Sequence, residues 1–241
     1  MNKTGIMPFE KELITISFQE IFPAAEQYFL KTAGLDKSNE KHNRMWTRAL
    51  EIYEEMQAKW DINAVVYYMA PEKVRGRDIF FSGVIISCNG FEGLDYGLIN
   101  GAYFYLITAG NAHTDSGQVI DQLYADIWGT SLVDAARDLI RDRIQSKDNE
   151  KGEGRFLSPS FGPGYYGMEL SHTSAIFRII DPSTVNVMLS PGGMMIPQKS
   201  VTGLYLSIKD KGMMPPASCE SCIGGASGCA FCNQRDTKKH P

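Results

Sequence analysis

The chain has 241 residues, 43% of them apolar and 22% charged, with a formal net charge of −4. A chain of this length buries about 70–75% of its unfolded surface, so it builds a core without a cofactor, as one large domain or two small ones. The acidic balance and the lack of a basic stripe with interleaved aromatic residues argue against a nucleic-acid partner. The N-terminus lacks a charged-then-apolar signal pattern and no run of about 18 apolar residues occurs, which predicts a cytoplasmic protein without a membrane span.

Patterns in the first half of the chain predict two helices followed by strands. Residues 18–30 resemble a short helix that ends at Gly34, and apolar residues at three-to-four-residue spacing indicate an amphipathic helix over residues 43–60. Cys88 is typical of a buried small side chain rather than a nucleophile. Three β-branched and aromatic segments each predict a strand: residues 64–69, 79–87 and 102–109.

A periodic stretch over residues 118–144 predicts a third helix, with Gly129 in its middle. Glycine inside a helix costs about 1 kcal/mol relative to alanine, so either another group approaches the backbone there or the helix packs closely on the sheet. Asp126 and Asp134 lie eight residues apart, slightly more than two turns, and are expected to project along neighbouring faces.

After a charged linker at residues 146–154, the chain enters a segment of unusual composition, residues 155–167 (RFLSPSFGPGYYG). Glycine lets a backbone approach another molecule closely, and proline limits the freedom of a loop. The same composition is found in surface turns whose aromatic rings pack into the core. Composition alone leaves both interpretations open.

The last part of the folded region predicts a short helix at residues 174–180 and strands at residues 185–189 and 200–208. His172 is expected to be a helix-start residue rather than a catalytic base. Because the strands are joined by turns and the long helices are not regularly interleaved with them, we expect an α+β fold with a largely antiparallel sheet flanked by helices.

Four of the five cysteines form a C-x2-C-x6-C-x2-C pattern near the C-terminus: Cys219, Cys222, Cys229 and Cys232. Two such pairs so close together predict a metal site, because each pair brings both thiolates to one centre. Zinc and a four-iron cluster both take four cysteines, so the ligand count does not decide between them. The small apolar residues between the pairs favour an iron–sulfur cluster, zinc remains open, and redox-active thiols are a third reading.

Three segments resemble the activation domain of cobalamin-dependent methionine synthase, and more closely the small free-standing relatives of that domain associated with corrinoid methyltransferase systems. Residues 196–205 (IPQKSVTGLY) match the family's pattern of methionine, an apolar residue, proline, two variable residues, then serine, valine, serine or threonine, glycine and an aromatic pair. Arg155 and the loop after it resemble the family's arginine-to-Gly-Tyr motif, and residues 129–136 (GTSLVDAA) resemble a helix that carries an acidic residue.

The resemblance, which covers roughly residues 60–210, implies a curved sheet and a site for S-adenosylmethionine. Arg155 is expected to hold the ligand's carboxylate through a two-pronged hydrogen bond, and Asp134 to attract its ammonium or sulfonium. Gly164 and Tyr165 would supply the loop, although Phe161 competes with Tyr165 for the position of the family's tyrosine. The family's acidic residue shortly before its methionine–proline motif has no counterpart in this chain.

These expectations give a domain at residues 1–212 and a metal-binding tail at residues 213–241. The leading hypothesis is an accessory protein that assists reduction or remethylation of the cobalamin of a corrinoid protein or methyltransferase, with a possible further electron donor. One alternative is an S-adenosylmethionine-binding remethylation domain with a structural zinc tail. The other is a corrinoid-protein docking module without catalysis, so whether the protein is an enzyme stays open.

Overall fold

The computed structural model describes residues 11–57, 61–150 and 155–213 and, within these ranges, contains four α-helices and ten strands. The helices are α1 (Phe18–Ala33), α2 (Glu40–Gln57), α3 (Val119–Glu150) and α4 (His172–Ile176). The strands are β1 (Lys11–Ile16), β2 (Ile62–Met69), β3 (Lys73–Arg75), β4 (Asp78–Phe81), β5 (Val84–Ser87), β6 (Ile99–Thr108), β7 (Phe156–Leu157), β8 (Met188–Leu189), β9 (Met195–Ile196) and β10 (Ser200–Ile208).

The main sheet has five strands in the order β1-β2-β6-β10-β7, and every pairing in it is antiparallel. Strands β2 and β10 flank β6, where Thr108 lies opposite Asn63 on one side and Ser200 on the other. The sheet is strongly curled. The predicted α+β class and largely antiparallel sheet are therefore confirmed, whereas the cysteine-rich module lies outside the described residues.

Each face of the sheet carries its own apolar core, because side chains alternate between the faces along a strand. On β6, Tyr105 and Ile107 point to the core beneath α1, α2 and α3, and Phe104 and Leu106 point to the opposite core. The small sheet β3-β4-β5 and helix α4 cover that second face. Cys88 is buried there, as expected, and burial raises the pKa of its thiol to about 11.

The structure corrects three of the predicted elements. The single strand expected over residues 79–87 is a hairpin of β4 and β5, because Ser82 and Gly83 both have positive φ and form the two-residue turn typical of tight hairpins. Helix α3 continues through most of the expected linker at residues 146–154. The strand expected at residues 185–189 is reduced to β8 after a short 3₁₀ helix.

Other elements lie where the sequence predicts them. Helix α1 ends before Gly34, which adopts the left-handed conformation, and α4 begins at His172. Strand β10 has the predicted bounds. None of the helices in the described ranges combines the length and apolarity that crossing a bilayer requires.

Candidate functional site

A groove of about 910 Å³ runs along one side of α3. Its helix wall comes from the middle of α3, between Asp126 and Arg141, and its opposite wall is the segment of residues 158–166, which we call the aromatic loop. The start of β10 with the residues before it, Tyr105 of β6 and Tyr28 of α1 complete the lining. The groove thus lies where the sheet edge, the longest helix and the glycine-rich loop meet.

The aromatic loop is fixed because it pairs with β10 where β7 ends. Phe161 and Leu204 exchange two backbone hydrogen bonds of 2.9 and 2.8 Å, and Ser158 N donates to Leu206 O. The two chains approach so closely that a Cβ on Gly203 would lie 2.4 Å from Phe161 O, and one on Gly162 would lie 2.8 Å from Thr202 O. Glycine at both positions is therefore a condition for the loop to lie against the strand.

The charged side chains that line the groove are balanced, with three acids and three bases. They are Asp126, Asp134, Asp138, Arg137, Arg141 and Lys199. Two of the acids are paired with bases, Asp134 with Arg137 and Asp126 with Lys199, so positive and negative groups lie side by side in the site. Such a surface suits a zwitterionic ligand better than a purely anionic or cationic one.

Asp134 and Arg137 form the central ion pair, with Arg137 Nη1 2.9 Å from Asp134 Oδ1. Both side chains are largely buried. Burial raises the pKa of Asp134, and the neighbouring Asp138 carboxylate adds to the rise, while Arg137 opposes it. The structure therefore contains a shielded carboxyl group whose charge is only partly compensated by its ion pair.

Arg141 fastens the helix wall to the opposite wall. Its Nη2 donates to Leu157 O at 3.0 Å and its Nε to Ser158 O at 3.3 Å, at the beginning of the aromatic loop. Its Nη1 lies 3.9 Å from Asp142, a long contact for an ion pair. Arg141 thus positions the loop with two of its nitrogens and directs the third toward a weak partner.

Tyrosine hydroxyls line the floor of the groove and stay neutral. Tyr105 Oη lies 2.6 Å from Ser160 Oγ, and complete burial raises the pKa of Tyr105 to about 12. Tyr205 donates to the carbonyl of Arg137 at 2.9 Å, and burial raises its pKa well above the usual value. These groups are hydrogen-bond donors and acceptors rather than bases at neutral pH.

Lys199 closes one end of the groove against α3. Its Nζ lies 2.6 Å from Asp126 Oδ1 and 3.1 Å from Thr130 Oγ1. A Cβ on Gly129 would lie 2.7 Å from Lys199 Cγ and 2.8 Å from the Cβ of Ala112. Gly129 is thus explained by a close approach to the helix backbone, and the group that approaches is a neighbouring lysine stem rather than the sheet.

The structure brings together three of the five residues expected to bind a ligand. Asp134, Gly164 and Tyr165 line the groove, and Tyr165 is partly exposed. Phe161 is buried in the second core, in edge-on contact with Phe91. Because no part of its side chain reaches solvent, Phe161 supports the loop instead of offering a stacking surface.

Arg155 does not line the groove, and it immediately precedes β7. Its carbonyl accepts a hydrogen bond from Gln145 Nε2, and its charge partly opposes the rise that burial and Asp148 cause in the pKa of Tyr103. The guanidinium groups in the groove belong instead to Arg137 and Arg141, which sequence reasoning missed. Their spacing from Asp134, three and seven residues on a helix, was the available signal.

The four cysteines lie outside the described residues, so the predicted metal site remains a prediction. Within residues 11–57, 61–150 and 155–213, no group of three or more histidine, cysteine, aspartate or glutamate side chains is arranged to hold a metal ion.

Comparison with known proteins identifies the fold. No protein-family model matches the sequence, and no curated protein matches it. The fold, an α+β architecture around a curled antiparallel sheet, is similar to that of a reactivation domain. One solved structure with this fold is the crystal structure of the MetH reactivation domain bound to AdoHcy, with a TM-score of 0.65 and 14% identity over 84% of this chain and 79% of that chain.

Proposed function

We propose that this protein binds S-adenosylmethionine in the groove along α3 and serves the reactivation of a cobalamin-dependent methyltransferase or corrinoid protein. The observation that carries the proposal is the meeting of Asp134, Arg141 and the aromatic loop on one groove. The likeness to a reactivation domain solved with AdoHcy supports the same ligand class. A volume of about 910 Å³ is in the upper part of the usual range for small-molecule sites.

The chemistry of the groove fits the charges of S-adenosylmethionine. The ligand carries a carboxylate, an ammonium and a sulfonium, and we assign the carboxylate to Arg141, whose Nη1 has only a long contact with Asp142. Asp134 receives the ammonium or sulfonium, since a shielded carboxylate interacts strongly with a cation. Tyr165 and the backbone near Gly164 then border the adenine.

Reactivation itself needs one electron and one methyl group. Reduction converts cob(II)alamin to cob(I)alamin, whose cobalt electron pair attacks the methyl carbon of the sulfonium, so that methylcobalamin and S-adenosylhomocysteine are the products. The protein's part is to hold the sulfonium methyl group in position and to exclude competing nucleophiles. The four cysteines are the proposed site of an iron–sulfur cluster that supplies the electron, with a structural zinc site as the alternative.

Calorimetry with S-adenosylmethionine tests the ligand assignment. The wild type is expected to bind, Asp134→Asn to bind about tenfold to a hundredfold more weakly because a charge-assisted contact is lost, and the control Asp61→Asn, an exposed aspartate elsewhere, to bind as the wild type does. No heat with the wild type, or equal affinities in all three, would remove the proposal.

A second experiment tests the role in reactivation. The protein is added to a cobalamin-dependent methionine synthase from which the enzyme's own reactivation domain has been removed, with the corrinoid poised as cob(II)alamin. With S-adenosylmethionine and a chemical reductant, we expect the absorption spectrum of methylcobalamin to appear. Complex formation without any change in the corrinoid spectrum would favour the docking module instead.

Metal analysis separates the two forms of the proposal. Protein purified without oxygen is expected to contain iron and to show visible charge-transfer absorption that Cys219→Ser removes. Zinc without a chromophore would leave S-adenosylmethionine binding intact and refute the electron-transfer role.

A further inference from the structure

A second, small cavity lies near the C-terminal end of α3, separate from the groove. It has a volume of about 50 Å³ and is lined by Asp148 and Lys147 of α3, Tyr103 of β6, Tyr68 of β2 and Glu12 of β1, together with two aliphatic side chains. Asp148 follows Arg141 by seven residues, about 10 Å along the helix axis. No residue lines both the groove and this cavity.

Asp148 is a buried carboxylate with one hydrogen-bond partner among the described residues. Its side chain is almost completely enclosed, and Oδ1 accepts a hydrogen bond of 2.8 Å from the Tyr103 hydroxyl. Oδ2 is also buried, and it has no hydrogen-bond partner among the described residues. A carboxylate removed from water is costly unless both oxygens are compensated.

The position of Asp148 in the helix makes this cost larger. It lies in the last turn of α3, where the carbonyl ends of the helix carry partial negative charge and favour a cation. Asp121, in the first turn of the same helix, is equally buried but receives two hydrogen bonds from Arg48 and one from Ser116. The fold therefore compensates a buried carboxylate fully at one end of α3 and only in part at the other.

Among the described residues, none of the neighbouring cationic side chains donates a hydrogen bond to Asp148 Oδ2. Lys147 Nζ lies 2.5 Å from Glu12 Oε1, so the lysine on the cavity wall is engaged by a second acid. The Arg155 guanidinium lies near enough to lower the pKa of Tyr103, but it donates no hydrogen bond to Asp148 Oδ2. Burial and the Asp148 carboxylate raise the pKa of Tyr103, which stays a neutral hydroxyl with a lone pair available as an acceptor.

We propose that this cavity binds a small monovalent cation, of the size of potassium or ammonium, between Asp148 Oδ2 and Tyr103. The volume accommodates one such ion, since a water molecule in the liquid occupies about 30 Å³. One uncompensated carboxylate matches one positive charge, whereas calcium and magnesium require a larger set of charged oxygen ligands. The tilted rings of Tyr68 and Tyr103, 4.8 Å apart between centroids, add electron-rich faces that attract a cation.

Thermal unfolding of the full chain in different chloride salts at one ionic strength tests the proposal. The midpoint is expected to be a few degrees higher in potassium or ammonium than in choline, which is too large for the cavity, because an ion that binds only the folded state raises its stability. Asp148→Asn is expected to unfold at the same temperature in every salt. The control Asp61→Asn, an exposed aspartate, is expected to keep the wild-type response.

A crystal soaked in rubidium or thallium gives the second readout and does not depend on a variant that folds. An anomalous peak within bonding distance of Asp148 Oδ2 is expected, and Tyr103→Phe is expected to weaken both that peak and the salt response. A wild type that responds equally to all salts and shows no peak would overturn the proposal.

Discussion

The two ends of α3 each bury an aspartate, but they compensate its charge differently. Asp121 in the first turn accepts hydrogen bonds from Arg48 Nε at 2.9 Å and Nη2 at 2.6 Å. Asp148 in the last turn accepts one hydrogen bond, from Tyr103, and its second oxygen has no partner among the described residues. The same residue type, at the same burial, is a structural anchor in one place and a candidate binding group in the other.

Asp134, in the groove between these two ends of α3, is an intermediate case in the compensation of its charge. Asp134 has a partner in Arg137, but burial still raises the pKa of its carboxyl group, so the ion pair compensates it incompletely. A buried carboxylate whose charge is fully compensated within the protein stabilises the fold. A carboxylate whose charge is compensated only in part still gains interaction energy when a cationic ligand binds. The comparison thus predicts which acidic residues of α3 matter for stability and which matter for binding.

The largest effect is expected at the compensated end. Arg48 and then Ser116 lower the pKa of Asp121, so its contribution to stability is present above the ordinary value of 3.8 and is lost as the pH falls through the lowered value. Asp121→Asn is expected to reduce the free energy of unfolding by about 2–4 kcal/mol at neutral pH and to flatten the acid limb of the stability profile. Urea denaturation at neutral and acidic pH measures both changes, with Asp61→Asn as the control. Unchanged stability in Asp121→Asn would contradict the anchoring role.

The next effect concerns Arg141, the arginine that we propose to bind the ligand's carboxylate. Arg141→Gln is expected to weaken S-adenosylmethionine binding by about tenfold to thirtyfold, because a charge-assisted hydrogen bond is lost. Arg155→Gln and Arg143→Gln, the latter an exposed residue of α3 paired with Glu20, are expected to bind within about twofold of the wild type. Calorimetry on the three variants decides between them. A loss confined to Arg155→Gln would restore the assignment that the sequence suggests.

The sequence suggests Arg155 as the carboxylate-binding residue, whereas the groove contains Arg141, and this difference shows what the sequence alone does not predict. The alternating pattern of residues 200–208 predicted strand β10, and the spacing of Asp126 and Asp134 predicted two carboxylates on neighbouring faces of α3, because strand and helix periodicity determine which side chains share a face. The position of Arg155 depends on where β7 joins the sheet edge, and a local motif does not contain that information. A charged residue on a helix is usually solvated, so the spacing of Arg141 from Asp134, seven residues on, was only a weak signal for a role in the groove.

Phe161 is a second residue whose position the sequence alone does not predict. It pairs with Leu204 as a β-bridge, and the two side chains then share the second core. A shift by one residue in this pairing would turn Phe161 toward the groove, since successive side chains point to opposite faces. The sequence left Phe161 and Tyr165 open because the register of the aromatic loop on β10 is set by tertiary contacts.

A smaller effect is expected from pH. Burial raises the pKa of Asp134 above its ordinary 3.8, and a bound ammonium favours the charged carboxylate. The affinity for S-adenosylmethionine should therefore fall by up to about tenfold per pH unit as the pH drops through the raised pKa, with a proton released on binding there. Calorimetry in two buffers of different ionisation enthalpy measures the proton. Asp134→Asn should lose this pH dependence, and its persistence in that variant would assign the titration to another group.

The smallest effect is expected from the loss of a single tyrosine hydroxyl group, either beside Asp148 or beside the groove. Tyr103→Phe removes the one hydrogen bond of Asp148, and Tyr205→Phe removes a comparable bond to the Arg137 carbonyl near the groove. Each is expected to cost about 1 kcal/mol of unfolding free energy. In a double-mutant cycle, Tyr103→Phe and Asp148→Asn should couple by about 0.5–1.5 kcal/mol, while Tyr205→Phe and Asp148→Asn should add independently. The proposed cation contacts both Tyr103 and Asp148, so the coupling energy should be larger in potassium chloride than in choline chloride. Equal coupling energies in the two salts would show that the pair forms a buried hydrogen bond without a bound cation.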